Sequence, residues 1–212
     1  MNAPLNRTVH LAVYDQMADW EIGHAIAHIR NGHAQRRPGR YDVVTVGLTG
    51  APVTTMGGLS VLPDVALHQL KPSESSMLVL PGADGWDADP ESLSPFASAA
   101  GIFLDAGVPV AAICGATAGL AREGLLDDRA HTSAAPEYLL ATGYAGISHY
   151  RSELAVTDGD LITAGPTAPI EFAREIFAAL DLYSPRVLDA WYRLFARHDP
   201  EAFAVLAEAS RP

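Results

Sequence analysis

The chain holds a single cysteine, Cys114, and its setting is where chemistry is first to be sought. It follows the apolar run Val108-Pro-Val-Ala-Ala-Ile113 and precedes Gly115-Ala-Thr-Ala-Gly119. The first stretch reads as a short buried strand, and the residues of the second are small enough for a helix to begin at once, so the thiol sits at a strand-to-helix turn. A thiol there lies near the free N–H groups of a helix's first turn, whose partial positive charge favours thiolate over thiol. That is a nucleophile's position. A lone cysteine can equally be a small buried hydrophobe, and the turn by itself does not separate the two.

Two other stretches carry groups of a useful kind. The apolar run Met77 to Leu80 is followed by Pro81-Gly82-Ala83-Asp84-Gly85-Trp86, and a strand that ends in a Gly-rich loop presents its backbone to a ligand. Asp84 and Trp86 can line the mouth of a pocket there, or Trp86 can serve an interface. Glu21, His24 and His28 fall at i, i+3 and i+7, one helix face, a spacing open to a metal. Ile22, Ile26 and Ile29 form the better core stripe, however, which leaves the two histidines at its margin, and no metal is expected. Glu21 read alone is a first-turn carboxylate that the helix dipole favours.

These residues need elements to position them. Val9 to Tyr14 reads as a strand and Trp20 to Ile29 as a helix, with Asp19 able to cap it from just outside. Tyr41 to Leu48 is a second strand. Residues 50–63 form an extended excursion with a candidate hairpin, and 64–70 a short helical turn. Then follow strand 77–80, helix 90–107, strand 109–113 and an elbow helix ending at Gly124, a natural residue for the position after a helix. Repeated βαβ units imply a mainly parallel sheet with helices on both faces. A short strand is expected at 129–133 and a short helix at 136–141. Runs 154–157 and 161–164 flank Asp158-Gly159, the best hairpin signal present, ahead of a helix over 168–180. The expected organisation is one α/β domain over residues 1–183, with a helical extension over 184–212. In that extension Leu188, Trp191, Tyr192, Phe195, Phe203 and Leu206 need a surface to cover, either the domain itself or a second subunit.

With 212 residues the chain can build one sizeable core. A formal net charge of −11 argues against a nucleic-acid partner, since the basic cluster Arg36, Arg37 and Arg40 merely surrounds the Pro38-Gly39 turn. No apolar run approaches a membrane span, and Met1 to Thr8 is too short and polar for a signal or transit peptide. One cysteine makes no internal disulfide, which fits a cytoplasmic location.

Together, three motifs in this order resemble the DJ-1/PfpI family, the cysteine branch of the class I glutamine-amidotransferase-like fold. Val110-Ala-Ala-Ile-Cys114-Gly-Ala-Thr-Ala-Gly-Leu120, with Gly124-Leu-Leu and Arg129 and Thr132 to follow, resembles the family's nucleophile elbow. Leu80-Pro-Gly-Ala83 resembles its Pro-Gly-Gly loop, and Asp19-Trp-Glu21 its Asp-x-Glu stretch. The likeness covers roughly residues 8–180 and leaves the C-terminal helices out.

The resemblance implies a flavodoxin-like three-layer α/β sandwich, commonly a homodimer, with a readily oxidised cysteine. It does not imply one reaction, because members are assigned as proteases or amidases, glyoxalases, isocyanide hydratases, chaperones and stress sensors. It places Glu21 beside Cys114, where a carboxyl next to a thiolate should hold a proton and act as donor or shuttle. If Cys114 attacks a small amide, carbonyl or isonitrile, the N–H groups of Gly115 and of Gly82 or Ala83 are candidates to hold the developing charge. Protease-like members carry a histidine directly after the cysteine, where this chain has Gly115. The downstream histidine of other members would fall near Ser133; His131 is offset by two, which on a strand keeps the same face, so it stays a candidate base. The expectation is therefore a cofactor-free, cysteine-dependent enzyme of amidase, hydrolase or hydratase type. The alternative is a redox-responsive protein whose Cys114 is oxidised without turnover.

Overall fold

The computed structural model describes residues 7–211. Of the N-terminal segment read as carrying no targeting signal, residues 1–6 lie outside that range, as does Pro212.

A seven-stranded sheet forms the middle layer, in the order β5-β2-β1-β6-β7-β9-β8. Its strands are β1 (Arg7–Ala12), β2 (Tyr41–Gly47), β5 (Val65–Ala66), β6 (Met77–Leu80), β7 (Val110–Ile113), β8 (Ala155–Asp158) and β9 (Leu161–Ala164). All neighbours run parallel except β8, which pairs antiparallel with β9 through the turn at Asp158-Gly159. β6 and β7 are buried at every residue, as strands covered on both faces must be, which is why they read as unbroken apolar runs. β3 (Val53–Thr54) and β4 (Ser60–Val61) make the small separate hairpin that the excursion predicts.

Helix α1 (Asp19–Asn31) and α6 (Pro169–Ala179) pack together on one face of the sheet. On the other lie α2 (Gly85–Ala88), α3 (Pro90–Asp105), α4 (Gly115–Arg122) and α5 (Pro136–Leu140). This is the three-layer α/β sandwich with extra C-terminal helices, α7 (Pro185–Ala196) and α8 (Phe203–Ala209). Within the extension α7 packs on α6, with the ring of Trp191 fully buried against His24, His28 and Phe177, while α8 packs on α7 and Phe203 stays exposed.

Several local expectations are corrected. Asp19 opens α1 instead of capping it from outside; the residue before the helix is Ala18, which gives no side-chain cap. The Asp19 carboxylate turns away and accepts the Gly57 N–H at 2.6 Å, tying the hairpin to the start of α1. The stretch 129–133 forms no strand, only a single bridge between His131 and Tyr150. Residues 64–70 contribute β5 to the sheet edge before a short 3-10 turn at Leu67–Gln69.

Strand order also locates the crevice. From β1 the chain winds outward to β2 and β5, then returns to β6 and winds the other way through β7 and β9. In such sheets the carboxyl ends of the strands where winding reverses leave a crevice that helices do not fill. Here the winding reverses between β1 and β6, with β7 next in the sheet.

Candidate active site

Each of those three strands delivers one part of the site. α1 follows β1 and carries Glu21; the loop after β6 carries Gly82 and Ala83; the turn after β7 carries Cys114. Residues far apart in sequence thus converge because their strands are neighbours.

Cys114 has φ 58° and ψ −128°, a backbone conformation that L-residues rarely adopt. The strain lifts the half-buried side chain off the end of β7 and lets α4 begin at the next residue. The Gly115 N–H, at the start of α4, points at the sulfur. Gly82 packs against both partners: a Cβ there would sit 2.8 Å from Cys114 Cβ, 3.0 Å from its Sγ and 2.9 Å from Glu21 Oε2. Only a glycine permits this approach.

Glu21 is fully buried. Its Oε2 accepts the Gly82 N–H at 2.6 Å, its carboxyl is within hydrogen-bonding reach of the Cys114 thiol, and its Oε1 has no further partner among the described residues. Burial pushes its pKa up to about 7, against the smaller opposing pull of the Gly82 and Cys114 hydrogen bonds. The proton-holding carboxyl expected beside the cysteine is therefore physically reasonable.

The thiol differs from expectation. Helix-end N–H groups would lower its pKa, but burial, followed by the adjacent Glu21, raises it to about 12, and the Gly115 N–H offsets only part of this. Burial and the adjacent carboxyl thus favour the thiol over the thiolate.

His131, the candidate base, makes its hydrogen bonds elsewhere. It is fully buried, its Nδ1 lies 2.7 Å from the Arg129 carbonyl and its Nε2 3.2 Å from the Tyr144 hydroxyl, with the ring edge-on to Tyr144 and Tyr150. Both ring nitrogens are committed away from Cys114, so the offset of two residues does matter. It is Ser133 that reaches the elbow, its hydroxyl 2.6 Å from Thr117 Oγ1, which in turn donates to the Cys114 carbonyl at 2.6 Å.

The Gly82 N–H is also unavailable for a developing oxyanion, because Glu21 already accepts it. Gly115 and Ala83 remain: the Gly115 N–H faces the sulfur, and the Ala83 N–H donates to no backbone carbonyl among the described residues.

Trp86 is a brace and not a pocket mouth. It is 1% exposed, its Nε1 donates to the Pro81 carbonyl at 3.1 Å, and Tyr14 bonds to the same carbonyl. The ring covers α4 so tightly that a Cβ at Gly115 would lie 3.1 Å from Trp86 Cβ and Cδ1, and one at Gly119 would enter the ring. An imidazole directly after the cysteine therefore has no room here, which accounts for Gly115. The motif reading missed Asp87 and Tyr138, which meet at 2.8 Å beside the site; no spacing signal connects residues of α2 and α5.

His24 and His28 stack on each other and face Trp191 and Phe195, away from Glu21's partners. No group of three or more His, Cys, Asp or Glu among the described residues is placed to hold a metal. No described helix is long and apolar enough to cross a membrane.

Known proteins are similar to this chain in sequence and in fold. The chain is 39% identical over 200 residues to the uncharacterized protease YoaZ of Bacillus subtilis, covering 93% of this chain and 94% of the relative. A second Bacillus subtilis relative, the uncharacterized protease YdeA, is 36% identical over 84% of this chain and 85% of its own length. The crystal structure of a thiJ/pfpI family protein from Bacillus anthracis superposes with a TM-score of 0.90 at 37% identity, covering both chains completely. A DJ-1 superfamily protein from Agrobacterium tumefaciens gives 0.77 at 34% identity over 91% of this chain and all of its own. The model of the DJ-1/PfpI family matches residues 7–179, the whole sandwich that carries Glu21, Gly82 and Cys114, and the chain belongs to that family.

Proposed function

We propose that the protein is a cofactor-free, cysteine-dependent enzyme acting on a small amide, carbonyl or isonitrile, of amidase, hydrolase or hydratase type. The observation that carries this reading is the buried Glu21 carboxyl, held by the Gly82 N–H within reach of a Cys114 thiol on a strained elbow. Ionised Glu21 takes the thiol proton as sulfur bonds to the electrophilic carbon. For a carbonyl, the π pair moves to oxygen, and the Gly115 and Ala83 N–H groups donate hydrogen bonds to that oxyanion. Glu21 then returns the proton to the leaving group, or to the added atom in a hydration, and water attacks the resulting thioester or thioimidate, breaking the C–S bond, releasing the product and restoring the thiol proton. The two bacterial relatives named as proteases agree with a hydrolase-type activity. Among the described residues no imidazole hydrogen-bonds to the sulfur, so small activated electrophiles suit the site better than peptide bonds.

A homodimer belongs to the same proposal. Trp20, Met56, Leu59 and Leu62 stay exposed around the hairpin and the start of α1, an apolar surface that a second copy would cover. Sedimentation that finds only monomer at micromolar concentration removes this part.

The test is turnover of a panel of small amides, α-oxoaldehydes and isonitriles by the wild type, Cys114→Ser and Glu21→Ala. At least one substrate is expected to be consumed, with loss of 10²-fold or more in either variant. Equal rates in Cys114→Ser, or no substrate consumed while peroxide converts Cys114 to sulfenate or sulfinate, sinks the enzymatic reading and favours the redox one.

A further inference from the structure

Helix α2, whose Trp86 packs on the residue after the nucleophile, carries a carboxylate that the chemistry above does not use. Asp87 lies in α2 and is exposed to solvent. It directly follows Trp86, whose ring lies against Gly115, the residue after the nucleophile. Tyr138, half-buried on α5, donates its hydroxyl to Asp87 Oδ1 at 2.8 Å and so fixes the carboxylate's orientation. Burial, and then Asp87 itself, hold the Tyr138 phenol well above its ordinary pKa, so it stays a donor. The charge of Asp87 acts on the Cys114 thiol in the same direction as Glu21, as the smallest of the influences there.

The neighbouring cation does not neutralise it. Arg122, at the end of α4, lies near enough to act on Tyr138, yet its Nη1 donates to the Trp86 carbonyl at 3.0 Å. No described cation pairs with Asp87, and no described residue donates to its Oδ2. A carboxylate positioned by a tyrosine, left unpaired beside an available arginine and set next to a nucleophile, has one open oxygen for an incoming donor.

We propose that Asp87, positioned by Tyr138, is a specificity-determining residue that makes the Cys114 site select small electrophiles bearing a protonated amine and reject anionic ones. The group bound is an ammonium, taken by Asp87 Oδ2 while the reacting carbon meets the sulfur. This rests on the reading of Cys114 as the attacking group, and it adds the charge of the substrate class.

The test separates the two claims by using thiol reagents that need no turnover. A methanethiosulfonate reacts with the Cys114 thiolate to form a mixed disulfide and release methanesulfinate, and it can carry a 2-aminoethyl cation or a 2-sulfonatoethyl anion. Rates are measured by intact mass and normalised to those of free cysteine. Wild type is expected to favour the cationic reagent by about tenfold, the scale of one unscreened charge a few ångströms away on each reagent, with the preference shrinking in high salt. Asp87→Asn keeps an acceptor for Tyr138 and is expected to bring the ratio most of the way to that of free cysteine. Tyr138→Phe leaves the charge but frees it, giving a ratio between those of the wild type and Asp87→Asn. A wild-type ratio equal to free cysteine, or one that Asp87→Asn leaves unaltered, overturns the proposal. If the ratios behave as expected while no substrate is turned over, the charge selection stands and the enzymatic reading falls.

Discussion

Glu21 and Cys114 meet across the backbone of Gly82, whose N–H holds one carboxyl oxygen while its Cα packs against the sulfur. Burial raises the pKa of both groups, to about 7 for the acid and about 12 for the thiol, so around neutral pH the pair goes from two protons to one. Reactivity should follow that first loss. The iodoacetamide rate at Cys114 is expected to rise as pH increases through about 7 in the wild type, and to lose this step in Glu21→Gln.

The same burial has a stability consequence. Unfolded Glu21 ionises near its ordinary 4.5, while the folded protein keeps the proton until about 7, so the folded state binds more protons between those values. Stability contributed by this group is full below 4.5 and is lost as pH rises to about 7, by about 3 kcal/mol. Glu21→Gln should flatten that decline in urea unfolding followed across pH 4.5 to 8. An unchanged pH dependence would show that Glu21 is not the group responsible.

His28 gives the opposite slope. Burial, aided by the nearby His24, lowers its pKa to about 4, so the unfolded chain takes up a proton below about 6.5 that the folded protein refuses. Stability is expected to fall as pH drops from 6.5 toward 4, and His28→Leu to reduce the fall in melting temperature. Because His28 faces Trp191 and Phe195, the same acidification should quench or shift tryptophan emission as α7 loosens.

Strain at the elbow can be measured directly. At φ 58° and ψ −128° glycine is at ease and alanine is not, so Cys114→Gly should be more stable than Cys114→Ala by about 1–2 kcal/mol. At an ordinary position the order is reversed. An alanine variant as stable as the glycine one would remove strain from the account of this turn.

The Trp86 brace makes a packing prediction. Gly119→Ala places a methyl group inside the Trp86 ring and is expected to cost about 1–3 kcal/mol or more in thermal or urea unfolding. Trp86→Leu in the same chain should recover part of that loss, since the ring is what the methyl meets. Additive losses in the double variant would mean the two residues do not share this contact.

The sequence alone carried the local terms. Unbroken apolar runs at 77–80 and 110–113 mark strands covered on both faces, and small residues after Cys114 mark a helix starting at a tight turn. Asp158-Gly159 placed the hairpin of β8 and β9, with Gly159 at φ 59°. The order of the three motifs named the sandwich, because alternating strands and helices leave few topologies. What a hydroxyl, carboxyl or imidazole touches is set by strand order and by offsets of a residue or two, and there local reading ran out. His131 and Ser133 lie on similar stretches, yet one is tied to Arg129 and Tyr144 while the other reaches Thr117 at the elbow. The Gly82 N–H was free in sequence and is taken by Glu21 in space. The charge state of Cys114 was decided last: a helix N-terminus lowers a thiol's pKa, but burial beside a carboxyl raises it more, and only the packed tertiary structure supplies that burial.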